Sequence, residues 1–201
     1  MAVRTATGRA WHRLRNALTW KRTVLLLLAL MLALTTGFSL YLGYLSALPT
    51  PFLDEMEGVE AIRRLLVVAP HSDDEVIAAG GLIQKVLAQE GQVRVVIVTN
   101  GDGSLTGTMV EFRRLYPRAP HYIEAGIRRQ LESLRALAHL GVLSEYVYFL
   151  GYPDQGIFAL WRDRWEDDRP YRSPYTGLTR SLYPMTHNPE AIYSGHSLLA
   201  D

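Results

Sequence analysis

LLVVAPHSDDEVIAAGGLIQKVLAQEG, residues 65–91, is the stretch whose reading decides the fold. Leu65–Ala69 is a short apolar run rich in β-branched side chains, the pattern of a strand buried on both faces. Pro70 ends it. Asp73, Asp74 and Glu75 supply the acidic first turn that a helix N-terminus favours. Val76, Ile77, Leu82, Ile83, Val86 and Leu87 then recur at helical spacing, which predicts a helix up to about Gln89. Gly80 and Gly81 lower helix propensity but permit close packing against a sheet.

The same alternation continues outward. Gly91 breaks the chain, Val93–Thr99 (VRVVIVT) reads as a second buried strand, and Asn100-Gly101-Asp102-Gly103 as the loop at its end. A long helix is predicted from about Ile123 to Leu140, closed by Gly141. Tyr146–Leu150 (YVYFL) is a third strand, running into Gly151-Tyr152-Pro153-Asp154. Strand, helix, strand, helix, strand is the signature of an α/β domain with a parallel sheet, here a Rossmann-like three-layer domain over residues 62–201. Ligands of such sheets bind beyond the carboxyl ends of the strands. That groups Pro70–Glu75, Thr99–Ser104 and Gly151–Gln155 around one crevice. Residues 156–195 read as loop, with aromatic clusters at Trp161 and Trp165, at Tyr171 to Tyr175, and at Tyr183-Pro184. Such rings suit stacking on a sugar as well as plain packing.

Toward the N-terminus the composition changes. Val24–Leu48 is 25 residues without a charge. As a helix it would reach roughly 37 Å, enough for a hydrocarbon core of about 30 Å. Tyr41 and Tyr44 lie near one end, where an aromatic ring suits the interface, and Pro49 and Pro51 stop the helix. The chain has 21 Lys and Arg against 20 Asp and Glu, and six of the basic residues precede the span with no acidic residue among them. The expected organisation is a basic cytoplasmic tail (1–22), a transmembrane signal-anchor (23–48), a linker (49–61) and the α/β domain outside the cytoplasm. A cleaved signal peptide is the rival reading, with Leu45-Ser46-Ala47 as a poor cleavage site. The body is left with 15 basic and 20 acidic residues, a balance that argues against nucleic acid. Absence of cysteine excludes a disulfide scaffold and a thiolate-ligated zinc site.

His71-Ser72-Asp73-Asp74-Glu75 crowds an imidazole and three carboxylates onto the end of the first strand. Imidazole nitrogen and carboxylate oxygen are suitable ligands for a divalent ion. His71 and Asp74, three apart on a strand-to-helix turn, are placed to share one ion, which leaves Asp73 free to act on water. The residues alone admit a second reading, in which the acids merely charge the helix N-terminus and His71 lies on the surface.

VVAPHSDDEVIAAGGLI resembles the first strand, metal motif and first helix of the LmbE/PIG-L deacetylases, whose common form is (A/P)-H-(P/A)-D-D-E. Ser72 departs from the usual Pro or Ala. VVIVTNGDGS, IRRQLESLRALAHLGV and VYFLGYPDQG are similar to further blocks of that family in the same order. The resemblance implies zinc held by His71 and Asp74, Asp73 as general base, and Arg129 and Asp154 at the substrate. It implies hydrolysis of an N-acetyl group on an N-acetylated sugar such as an N-acetylglucosamine unit of a glycan or glycolipid. It also implies a further His ligand from a His-x-Asp-His-like segment, expected beyond residue 201, with His187 and His196 in the stretch before it. A carbohydrate-binding protein without catalysis, or a zinc amidase acting on a non-sugar amide, are the alternatives on the same fold.

Overall fold

The computed structural model of the chain describes residues 4–48 and 56–201, with side chains from Trp20 onward. Two compact units divide the chain, residues 1–55 and 56–201. The first is a single helix, α1 (Arg4–Ala47). Its segment Trp20–Ala47 is 28 residues long with a mean hydropathy of 2.2, and its side chains are unburied. By length and composition it is able to cross a membrane. Pro49, Pro51 and the linker as far as residue 55 lie outside the described residues.

The second unit is an α/β domain. Its order is β1 (Arg64–Ala69), α2 (Asp74–Ile77), α3 (Gly80–Ala88), β2 (Gln92–Thr99), α4 (Leu105–Phe112), α5 (Ala119–His139), β3 (Val147–Tyr152), α6 (Ile157–Asp163) and α7 (Gly195–Ala200). The three strands form one parallel sheet in the order β1-β2-β3. Val67 lies opposite Val95, and Val95 opposite Val147. On one face Val67, Ala69, Val95, Ile97 and Phe149 meet Ile83 and Val86 of α3 and Leu137 of α5. On the other, Leu150 and Tyr152 pack with Leu160, Ala191 and Tyr193. Helix, sheet and helix-plus-loop make the three layers.

Four local features differ from the sequence expectation. The helix after Asp74 is broken in two, because Gly80-Gly81 weakens helical continuity at Ala78–Ala79. Helix α5 begins at Ala119, earlier than expected, since Pro120 is tolerated in a first turn. A helix not foreseen, α4, starts where the Ser104 side chain accepts the Gly107 amide. Strand β1 is not buried on both faces: Leu66 and Val68 are 61% and 58% exposed. It is an edge strand, and the second layer covers β3 rather than β1.

The segment 156–195 is more ordered than its composition suggests. It holds α6, an antiparallel bridge between Arg180 and Ile192 and a parallel bridge between Phe149 and Thr186. Tyr183 and Tyr193 are core residues, whereas Trp161 is exposed and meets Trp165 edge-on.

Two substitutions test this packing. Leu137 is fully buried between α5 and the sheet, so Leu137→Ala is expected to cost about 2–5 kcal/mol in denaturant unfolding of the full chain. A Cβ on Gly126 would lie 2.6 Å from the Tyr183 ring. Gly126→Ala is expected to displace that ring and to cost about 1–3 kcal/mol, read in the same measurement.

Candidate active site

The carboxyl ends of β1, β2 and β3 are tied to one another by hydrogen bonds. Thr99 donates both its amide and its hydroxyl to the Pro70 carbonyl, each at 3.0 Å, which fastens the start of the His71–Glu75 turn to β2. On the other side the Asp154 amide donates to Asp102 Oδ1 at 2.9 Å, and the Gly103 amide donates to Asp154 Oδ2 at 3.2 Å. Gln155 Nε2 donates to the Gly103 carbonyl at 2.8 Å. The three strand-end loops therefore converge as the topology predicts, and the five residues singled out in the sequence lie on and beside the His71–Glu75 turn.

His71 stands at its centre with a different partner on each ring nitrogen. Nδ1 is 3.1 Å from Asp74 Oδ2, and Nε2 is 3.3 Å from Asp154 Oδ1. Asp74 also accepts the His71 amide at 3.1 Å. Between them, Asp73 has φ 137°, a backbone conformation that L side chains rarely adopt. Such strain costs on the order of 1–3 kcal/mol and persists where the surroundings enforce it. Here Glu75 does so: its side chain is buried, and Oε2 accepts the Asp73 amide at 2.8 Å.

Arg129 does not fold back onto Glu132 as a surface pair. Its Nη1 reaches the turn, 3.7 Å from Asp73 Oδ2 and 3.5 Å from the Ser72 carbonyl oxygen. Gly101, at φ +67°, leaves the space for it, since a Cβ there would sit 3.0 Å from Arg129 Cδ. The next residue, Gln130, is fully buried and donates from Nε2 to Asn100 Oδ1 at 3.3 Å, tying α5 to the end of β2. The motif turn separates two hollows. One, of about 250 Å³, is lined by Asp73, Val76, Arg129 and Glu132; the other, of about 400 Å³, by Val68, His71, Thr99, Asp154 and Phe158.

The donors fit a divalent cation along one edge. His71 Nδ1 and Asp74 Oδ2 are separated by 3.1 Å, close to the roughly 3.3 Å between two donors on a tetrahedral ion with bonds of about 2 Å. Asp154 approaches the opposite ring nitrogen, so it is placed to orient the imidazole rather than to join the pair. Among the described residues no group of three or more His, Cys, Asp or Glu side chains is arranged to hold a metal ion. His187 packs edge-on against Tyr148, and His196 Nδ1 faces Asp167 at 3.3 Å.

Three supporting residues were not legible as such in the sequence. Glu75 braces the turn, and Asp102 with Tyr183 braces the opposite wall: the Tyr183 hydroxyl donates to Asp102 Oδ2 across 81 positions of chain. Burial lifts the Asp102 carboxyl above its ordinary range, while the Tyr183 hydroxyl and the Asp154 amide act in the other direction. Burial, then the Asp102 charge, raises the Tyr183 hydroxyl. An Asp in an NGDG loop carries a signal for a turn, but none for a tyrosine so far along the chain.

Comparison with known proteins gives the family. The family described as PIG-L: GlcNAc-PI de-N-acetylase matches residues 66–193, a span that includes every residue of the crevice. Two curated relatives are each named 1D-myo-inositol 2-acetamido-2-deoxy-alpha-D-glucopyranoside deacetylase, from Mycobacterium sp. (strain KMS) and Mycobacterium sp. (strain JLS). Each is 34% identical over 128 residues, which is 64% of this chain and 38% of the relative. The chain thus spans well under half the length of the curated relatives it matches. With a family match covering most of the α/β domain, the strand-end turn, its bracing loop and the long helix behind it, this chain belongs to the PIG-L family.

Proposed function

We propose that the chain is an N-deacetylase that hydrolyses the acetamide of an N-acetylglucosamine-containing glycan or glycolipid. Family membership and the names of the two mycobacterial relatives support the reaction class and the N-acetylated sugar. The observation that carries the reading for this chain is the His71–Asp74 pair at 3.1 Å with Asp73 held beside it in a strained conformation.

On this reading His71 Nδ1 and Asp74 Oδ2 are two of the donors to a divalent metal, zinc being the ion that the family and the donor chemistry favour. When bound, such an ion polarises an acyl oxygen and acidifies water at neutral pH. Asp73 is the general base. It takes a proton from the attacking water and returns it to the departing amine, and φ 137° directs its carboxylate away from the α2 backbone it would otherwise cap. Arg129, 3.7 Å from Asp73 Oδ2, orients that carboxylate and offers its remaining N–H groups to sugar hydroxyls. Asp154 borders the substrate and, through its contact with His71 Nε2, orients the imidazole so that Nδ1 is turned to the side of Asp74. The uncharged segment Val24–Leu48, all but its last residue within a helix long and apolar enough to cross a membrane, anchors the protein there, with six basic residues ahead of it favouring a catalytic domain outside the cytoplasm.

Three measurements test these roles. Asp73→Asn is expected to lower acetate release from N-acetylglucosamine substrates about 10²–10⁴-fold while leaving metal content unchanged; unaltered turnover would remove Asp73 from the reaction. Asp154→Asn is expected to weaken metal affinity about 10–100-fold, read by equilibrium competition with a chelating dye. Unchanged affinity with a raised KM would leave Asp154 a substrate contact alone. The chain lacks cysteine, so Ala200→Cys introduces a single exposed thiol. In intact cells it is expected to react with a membrane-impermeant maleimide, and labelling only after lysis would reverse the orientation.

A further inference from the structure

The loop joining α4 to α5, Arg113-Arg114-Leu115-Tyr116-Pro117-Arg118, places three guanidinium groups in six residues of an otherwise acidic domain, residues 56–201 holding 15 basic and 18 acidic side chains. All three arginines are exposed, and among the described residues no carboxylate lies within ion-pair distance of any of them. The acids that flank the loop are already occupied. Glu111 is 3.1 Å from Arg128 Nη1, and Glu124 pairs with Arg128 Nη2. The loop is therefore a concentration of positive charge without a paired counter-charge among the described residues.

It is also concave. Arg113, Arg114, Leu115, Tyr116, Arg118 and His121 line a cavity of about 570 Å³. His121 Nδ1 accepts the Arg118 amide at 2.9 Å, so its ring proton sits on Nε2, leaving that nitrogen a donor like the guanidinium groups. Phe112 meets the imidazole edge-on, with ring centroids 5.2 Å apart. At the rim Leu115 and Tyr116 are 74% and 86% exposed. Guanidinium groups in this number match the three or four oxygens of a phosphate group, which accept paired N–H donors.

We propose that the α4–α5 loop is a binding site for a phosphate-type oxyanion, apart from the crevice at the strand ends. Two sources present that chemistry: a soluble phosphate compound, and the headgroup of an anionic lipid. Exposed Leu115 and Tyr116 beside the arginines form the apolar-and-basic combination that suits a lipid–water interface.

Isothermal titration of the full chain with inorganic phosphate, in an uncharged detergent, tests the shared chemistry, with chloride at equal ionic strength as the control for screening. Phosphate is expected to bind where chloride does not. The variant Arg113→Ala/Arg114→Ala/Arg118→Ala is expected to weaken binding about tenfold or more. The Lys triple variant, which keeps the charge but loses the planar fork, should fall between. A second arm compares hydrogen exchange of the loop amides in nanodiscs of phosphatidylcholine with and without phosphatidylglycerol. Protection by phosphatidylglycerol, together with phosphate binding, assigns the site to lipid headgroups; phosphate binding without protection assigns it to a soluble ligand. Phosphate heats no different from chloride, or a triple Ala variant that binds as well as the parent, overturns the proposal. Neither outcome bears on acetate release, so this site and the deacetylase reading stand or fall separately.

Discussion

Parallel pairing of β1 with β2 and of β2 with β3 is the constraint on which the crevice depends. Parallel strands end on the same side of a sheet, so three loops far apart in the chain are delivered to one place. Registry alone would leave them adjacent but loose. The Pro70 carbonyl removes that freedom by accepting two hydrogen bonds from Thr99, one from the backbone and one from the side chain. Each neutral bond contributes about 1 kcal/mol net, yet together they set the direction in which the chain leaves β1. His71, Asp73 and Asp74 inherit that direction.

The opposite wall is built from buried charge. Asp102 is almost fully buried, accepting the Asp154 amide on one oxygen and the Tyr183 hydroxyl on the other. A carboxylate so placed costs desolvation energy, which is why its proton affinity rises. The compensation is rigidity. Asp154 is held by its backbone to Asp102 and by Oδ2 to Gly103, so Oδ1 has little choice but to face His71. Gly103 suits this arrangement, since a Cβ there would sit 3.1 Å from Asp154 and press its carboxylate aside by a few tenths of an ångström. A carboxylate fixed on one nitrogen sets the orientation of the imidazole, which the proposed metal-ligand role of His71 would require.

Much of this was legible beforehand. The period-2 and period-3.6 patterns located three strands and the long helix, and the rule that α/β ligands bind at strand ends grouped the three loops correctly. His71, Asp73 and Asp74 were singled out from residue type and spacing and Arg129 and Asp154 from the family resemblance, and the five lie around one turn, on its two sides. Other features were opaque for physical reasons. A continuous apolar run reads as burial on both faces, but whether β1 has a neighbour over Leu66 and Val68 depends on where α6 and the 191–193 segment dock. The break between α2 and α3 is a contest between propensity and packing, which glycine content signals without resolving.

What the amino-acid order determined by itself is the local chemistry: an imidazole and three carboxylates on one turn, and an uncharged segment of membrane-spanning length. These depend on neighbours a few positions away, so they are written in spacing. Tertiary structure alone decided which nitrogen of His71 faces which carboxylate, that Arg129 turns to Asp73 rather than to Glu132, and that Tyr183 closes on Asp102. Apart from the local His71–Asp74 pair, those contacts join positions tens of residues apart, and only the closing of the sheet and its covering layers brings their atoms together.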